Sequence, residues 1–355
     1  MIVRHTIIIA ACVLGWSALQ AQQPQNESLR DKIHKAWQKR EESLKSVKFV
    51  WKEQLWRAKG VLSEFAKEGG ITDPFAGQTV PPEDVTHSID HQLWIKASNL
   101  KHETNPYEWS EKTKQFVQSR QISVCGDGFA KNLYVDSPGH NMIPRGHVHP
   151  QSYNPLRGLI NYSALFISTR PIDRRFSGID LEETKLIPER RTIDGRPCIG
   201  IERSANSRVW VDAEREYLPV LVESQFSPTM KRSLRIAYGQ RDGIWLPSGW
   251  NWQEVKDQRT VESCRVTDVE TTLDSIDTPA VFDLSFPNKT LVINSLTNDW
   301  HVETIFGRHH ISASEGNIPY DAITKGIPFR VYAVFAVTGL ILLCSLLVSL
   351  RIRRR

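Results

Sequence analysis

The chain has 355 residues, 40% of them hydrophobic and 24% charged, with 45 Lys and Arg against 40 Asp and Glu. That apolar content is too high for a disordered chain and leaves room for one large β-rich domain or two small ones. The formal charge of +5 belongs to the ends: setting aside Arg4 and the arginines at 330, 351, 353, 354 and 355 leaves 39 basic residues against 40 acidic ones. A nucleic-acid partner, which would need a basic patch within the folded body, is therefore not expected.

Residues 1–21, MIVRHTIIIAACVLGWSALQA, place Arg4 before an apolar run and small residues at Ala18 and Ala21, which predicts a signal peptide. An uncleaved anchor, or lipidation at Cys12 in the lipobox-like IAAC, is the alternative. In the next stretch Leu29, Ile33, Ala36, Trp37, Leu44 and Val47 recur at helical spacing, an amphipathic helix in need of a surface to cover. The period then changes to two: Val47, Phe49, Trp51 and Leu55 alternate with Lys48, Lys52 and Gln54, as in a half-buried strand.

Residues 59–84 carry four glycines and three prolines and read as an irregular insertion; 136–160 reads as a second. Strand patterns occupy about 86–98 and 115–125, then a hairpin around Asp194-Gly195, then 207–212, 218–226, 232–239, 243–255 and 259–272. Residues 154–182 are helical in part. In the stretch RDGIWLP the turn is expected to send Ile244 and Leu246 inward and Trp245 outward. Trp94, Trp210 and Trp245 fall out of phase with their apolar neighbours and are candidates for an exposed partner patch. The whole order predicts an α+β fold, a large curved antiparallel sheet with helices on its apolar face.

After a polar stretch at 295–330, read as a juxtamembrane stalk, VYAVFAVTGLILLCSLLVSL (331–350) runs without a charge. At 1.5 Å per residue it spans about 30 Å, so it is predicted to cross a bilayer once. The basic tail RIRRR (351–355) would stay cytoplasmic, placing the body outside the cytoplasm, periplasmic or at the cell surface. A cleaved C-terminal sorting tail is the alternative, although no LPxTG motif precedes the span.

Three cysteines belong to the body, Cys125, Cys198 and Cys264. An oxidising compartment allows one disulfide among them, with the pairing open, or three small buried apolar side chains. No GxSxG, Walker A, dinucleotide or HExxH pattern is present, and Ser123 or Cys125 beside Asp127 has no base at a recognisable spacing. No catalytic residue is assigned and no cofactor is expected. His140, His147 and His149 form the best metal-ligand constellation, but in a Pro/Gly-rich stretch without an acidic or Cys ligand, so no metal is expected there. His309 and His310 are adjacent, and adjacent side chains diverge in an extended chain.

RVWVDAEREYLPVLVESQF followed by LRIAYGQRDGIWLPSGWNWQEV resembles the sheet hairpins of the bacterial lipoprotein-carrier superfamily, LolA-like with LppX-like and RseB-like relatives. A strand ending in Asp, a turn, Leu-Pro opening the next strand, then Tyr, a Gly turn and a hydrophobic-Pro close recur there in this order. SVKFVWKEQLW resembles the first strand of that family, and FDLSFPNKTLVIN is similar to an ending seen in secreted proteins of planctomycete-type bacteria. The resemblance covers about 27–57 and 185–290, within a domain drawn at 22–294.

It implies an incomplete antiparallel barrel whose concave apolar face, lidded by helices, accepts a lipid, an acylated protein or an envelope partner without enzymatic activity. The candidate concave face is Phe49, Trp51, Leu93, Ile95, Val209, Val211, Val220, Val222, Ile244 and Leu246. RseB-like relatives imply an alternative role as an envelope-stress sensor or protein-interaction module. The C-terminal anchor and the two insertions depart from the family, and a tethered protein cannot shuttle between membranes.

Overall fold

The computed structural model describes residues 28–311 apart from 69–74, 76, 127, 138–142, 151–159, 177, 275, 277–278 and 306. The signal peptide and the membrane span predicted at the two ends therefore lie outside the described residues. Among the described residues no helix is long and apolar enough to cross a membrane.

Helix α1 (Leu29–Ser43) starts at an N-capping Ser28, whose hydroxyl accepts from the Asp31 amide while the Asp31 carboxylate accepts from the Ser28 amide. This capping box satisfies two donors that the first turn leaves open. The helix buries Ile33, Trp37 and Arg40 on one stripe. Burying Ile33 and Trp37 completely contributes about 1.5–3 kcal/mol each.

Strand β1 (Ser46–Arg57) follows and pairs antiparallel with β2 (Val85–Lys96), which pairs with β3 (Asn99–Thr104). Helix α2 (Val61–Glu68) lies between β1 and β2, and a small hairpin of β4 (Tyr107–Ser110) and β5 (Gln115–Gln118) stands apart from the main sheet. β6 (Arg120–Gly126), β7 (Phe129–Val135) and β8 (Arg145–Pro150) extend the sheet beyond β3. Part of the stretch read as a second insertion is thus a sheet strand.

After helix α3 (Ile160–Thr169), seven strands form an uninterrupted meander: β9 (Lys185–Ile193), β10 (Arg196–Ser204), β11 (Ser207–Asp212), β12 (Leu218–Gln225), β13 (Met230–Arg241), β14 (Ile244–Lys256) and β15 (Arg259–Leu273). β15 pairs with β1 and joins the two halves. Asp194-Gly195 and Asp242-Gly243 turn the chain with φ values of 50° and 79°, and 51° and 78°, the double positive φ of a two-residue hairpin.

The chain then returns to the far edge, where β16 (Leu291–Asn294) runs parallel to β8 and is followed by β17 (Asp299–Thr304) and β18 (Gly307–Ile311). The result is one sixteen-stranded sheet, antiparallel except at β16 and β8, whose two edges, β18 and β9, do not meet. It is an α+β fold with a large curved sheet that stays open. Residues 299–304 and 307–311, expected in a stalk, are sheet strands: Trp300 and Ile311 pair on one face and His301 and His310 on the other, an alternation hidden by the polar composition.

The main core fills the face under α1 and α3. A second cluster, Ile122, Val124, Leu133, Ile276, Phe282 and Leu284, covers the opposite face of β6 and β7. Those strands are consequently buried on both sides.

Candidate functional site

Helices α1 and α3 form one unit over the apolar face because each holds the other by a buried arginine. Arg40 of α1 donates from Nε to the Ser168 carbonyl at the end of α3 and from its guanidinium to the Trp245 carbonyl on β14. Arg170, just past α3, donates to the Leu44 carbonyl at the C-cap of α1. Glu41 accepts from the Ile172 and Asp173 amides at 2.8 and 3.1 Å. Burial lowers the pKa of both arginines and raises that of Glu41. The Trp37 indole adds a 2.8 Å bond to the Tyr217 carbonyl, and Tyr238 below α3 bonds the Ser168 hydroxyl and the Pro219 carbonyl at 2.7 Å each. Burial pushes the Tyr238 phenol up to about 12.

Beneath this lid the sequence-derived face divides. Phe49, Trp51, Leu93, Ile95, Val209, Val211 and Val220 all lie in the main core, and Val222 packs half-buried at its margin. Ile244 is half-buried and Leu246 buried, but neither joins that core, whereas Trp245 packs against it. The expected phase of β14 is therefore corrected. A register shift between Ala237 and Tyr238 sets Ser248 and Gly249 where alternation calls for one residue, so 245 and 247 share a face with 250 and 252.

The proposed exposed tryptophan patch is likewise absent among the described residues. Trp94 is half-buried beneath Lys48 and Lys101, Trp210 is buried with its indole on Glu223 at 2.8 Å, and Arg215 lies 4.3 Å over the Trp245 ring.

A polar seam runs through the same core. Glu53 on β1 and His102 on β3 are both 0% exposed and His91 on β2 is 3% exposed. Glu53 Oε2 lies 3.2 Å from His91 Nε2, and His91 Nδ1 lies 3.3 Å from His102 Nε2. Trp51 stacks on His91 with ring centroids 4.7 Å apart and 7° between planes, and meets Trp250 edge-on at 5.5 Å.

The row continues across the sheet by register, His102 opposite Ser123, Ser123 opposite Asn132 and Asn132 opposite His147. Ser123 Oγ and Asn132 Oδ1, both in buried residues, have no hydrogen-bond partner among the described residues. Burial, followed by the neighbouring His91, holds the His102 pKa well below its ordinary value, so the ring is neutral. Sealed from solvent, these groups offer hydrogen bonds at one end of an apolar core rather than proton exchange with water. Glu53 and His91 share the buried phase of their strands, a signal that the alternation carried.

Of the expected metal ligands, His147 and His149 lie on β8 with rings stacked at 5.8 Å, and His140 lies outside the described residues. Cys125, Cys198 and Cys264 are buried free thiols. They lie on β6, β10 and β15, and of the two alternatives the sequence left open the structure has the three small buried side chains. Burial raises all three thiols, Cys198 to about 11.

A groove of about 1090 Å³ opens beside the register shift at Val50 and Lys52 and is polar, with Lys52, Arg120 and Arg265 among Asp90, Glu103 and Glu270.

No family model and no curated protein matches the chain. Among solved structures it is similar to a DUF1329 family protein from Desulfovibrio piger, at 12% identity and a TM-score of 0.40 over 72% of this chain and 95% of that one. It is also similar to a LolA superfamily protein from Nitrosomonas europaea, at 10% identity and a TM-score of 0.39 over 71% of this chain and 97% of that one. The sheet is open and curved, with a helical cover over its apolar face, in line with the outline expected from the sequence.

Proposed function

We propose that the chain is a non-enzymatic, membrane-anchored extracytoplasmic protein that binds the acyl chain of a lipid or of an acylated protein between its sheet and its helical lid. The observation that carries this reading is the arginine clasp, which makes α1 and α3 a single cover over a continuous apolar face. Lifting that cover would expose Phe49, Leu93 and Ile95 on the sheet and Trp37 and Phe166 on the lid, a surface suited to hydrocarbon. The Ser123 hydroxyl would donate to the carbonyl end of the ligand, and Asn132 Oδ1, an acceptor, would take a donor of its head group such as an amide or hydroxyl. The predicted span at 331–350 would hold the body at the membrane that supplies such ligands.

The test is lipid extraction and mass spectrometry of protein secreted without residues 331–355. About one acyl-bearing molecule per chain is the expected result; a body that carries none and takes up no long-chain fatty acid contradicts the reading. A second reading, an envelope protein partner in the manner of an RseB-like module, draws on the polar groove beside β1, whose interleaved charges suit a protein surface better than a lipid. Crosslinking in native membranes would then recover one abundant protein neighbour through Lys52.

A further inference from the structure

We propose that the β17–β18 hairpin holds a divalent transition-metal ion of the zinc class, bound by Asp299, His301 and His310. Period two places Asp299, His301 and Glu303 on one face of β17, and the register sets His310 directly opposite His301. One ligand atom from each of Asp299, His301 and His310 lies within 4.8 Å of the others, the one such group of three among the described residues. Asp299 Oδ2 is 3.0 Å from His301 Nδ1, and Oδ1 is 2.8 Å from His310 Nδ1. Bonds of about 2.0–2.1 Å in tetrahedral geometry put ligand atoms roughly 3.3 Å apart. Seating an ion therefore asks the two Asp299–histidine contacts to open by a few tenths of an ångström, and the third pair, which lies within 4.8 Å, to settle to the same spacing.

The surroundings of His301 point the same way. Its other nitrogen, Nε2, lies 3.3 Å from Glu303 Oε1, and Glu303 is itself held by Arg308 Nε at 3.3 Å. A neutral imidazole donates from one nitrogen only. A carboxylate oxygen lies at each nitrogen of this ring. With a cation between Nδ1 and Asp299, Glu303 serves as the outer carboxylate that orients a metal-bound imidazole.

His301 is 2% exposed while His310 stands in solvent, so the site has a fixed floor and an open entry. Three protein ligands leave at least one coordination position facing outward, for water or a side chain of a partner. The row Leu133, Gly146, Val292, His301 places the cluster on the sheet face away from the lid, so the inference does not rest on the acyl-binding reading.

The experiment uses the full-length chain in detergent, stripped with chelator, equilibrated with Zn²⁺ and desalted, with zinc per chain measured by mass spectrometry. Wild type should retain one equivalent. His310→Ala, at an exposed position the hairpin does not need for packing, should retain at least tenfold less, as should Asp299→Asn. Glu303→Gln should weaken binding about 10–100-fold. A double variant His147→Ala/His149→Ala should bind as wild type does. Zinc at blank level in the wild type, or one full equivalent in His310→Ala, overturns the proposal.

Discussion

Glu53 shows how one side chain can combine an unfavourable environment with a defined role. Its carboxyl is sealed among Trp51, His91 and Cys264, so its hydrogen bonding has to come from the protein. Removing one partner and leaving the other buried without its hydrogen bond costs about 1–3 kcal/mol. Glu53→Ala should therefore lower the urea midpoint far more than Glu53→Gln, which keeps an acceptor facing His91. His102 gives a prediction with a sign. Its folded pKa is depressed, so below the ordinary histidine value the unfolded chain binds more protons than the native one. Stability should be unaffected by this ring above about pH 6.5 and fall below it, by up to about 1.4 kcal/mol per pH unit. The urea midpoint measured between pH 7.5 and 5 should show this slope, and His102→Gln should reduce it. The inward phase of Glu53 was readable beside Phe49, Trp51 and Leu55. Its contact with His91, and that of His91 with His102, was not, since both depend on which strands become neighbours.

Among the elements, the lid offers a quantitative test of the arginine clasp. Arg40→Ala should cost about 3 kcal/mol, since charged hydrogen bonds contribute about 1.5–3 kcal/mol each and carbonyls are left unpaired. Arg40 and Arg170 tie the same two helices, so their double-alanine variant should be less destabilised than the sum of the single variants, by about 0.5–3 kcal/mol. Gly249 tests the register shift of β14. A Cβ there would lie 2.6 Å from the Val266 carbonyl oxygen, a backbone atom that cannot rotate away. Gly249→Ala should thus destabilise by at least about 1–3 kcal/mol, read from thermal unfolding. Regular alternation made β1, β2 and most of the meander legible. It failed at Ile244 and Leu246, where the extra residue inverted the faces, and at β17 and β18, where strands bearing Asp299, His301 and His310 had too polar a composition to stand out.

For the molecule as a whole, the account joins a lidded sheet to a membrane anchor, and the two parts can be tested separately. Deleting 331–355 should release a secreted body, while Leu342→Arg should impair anchoring by about 2.5–3.5 kcal/mol, measured as the fraction extracted by alkaline carbonate. The change from helical to two-residue period gave the general architecture. The order of sixteen strands was out of reach, because the pairing of β15 with β1 and of β16 with β8 links segments far apart in the chain. The central claim is that α1 and α3 open together over the apolar face to admit an acyl chain. Hydrogen–deuterium exchange on the secreted body, with and without a long-chain fatty acid, tests it most directly. The account predicts that α1 and α3 exchange together and faster than β1 and β2, and that the fatty acid slows both helices. Helices that exchange as slowly as the central strands, with no change on adding the acid, would contradict it.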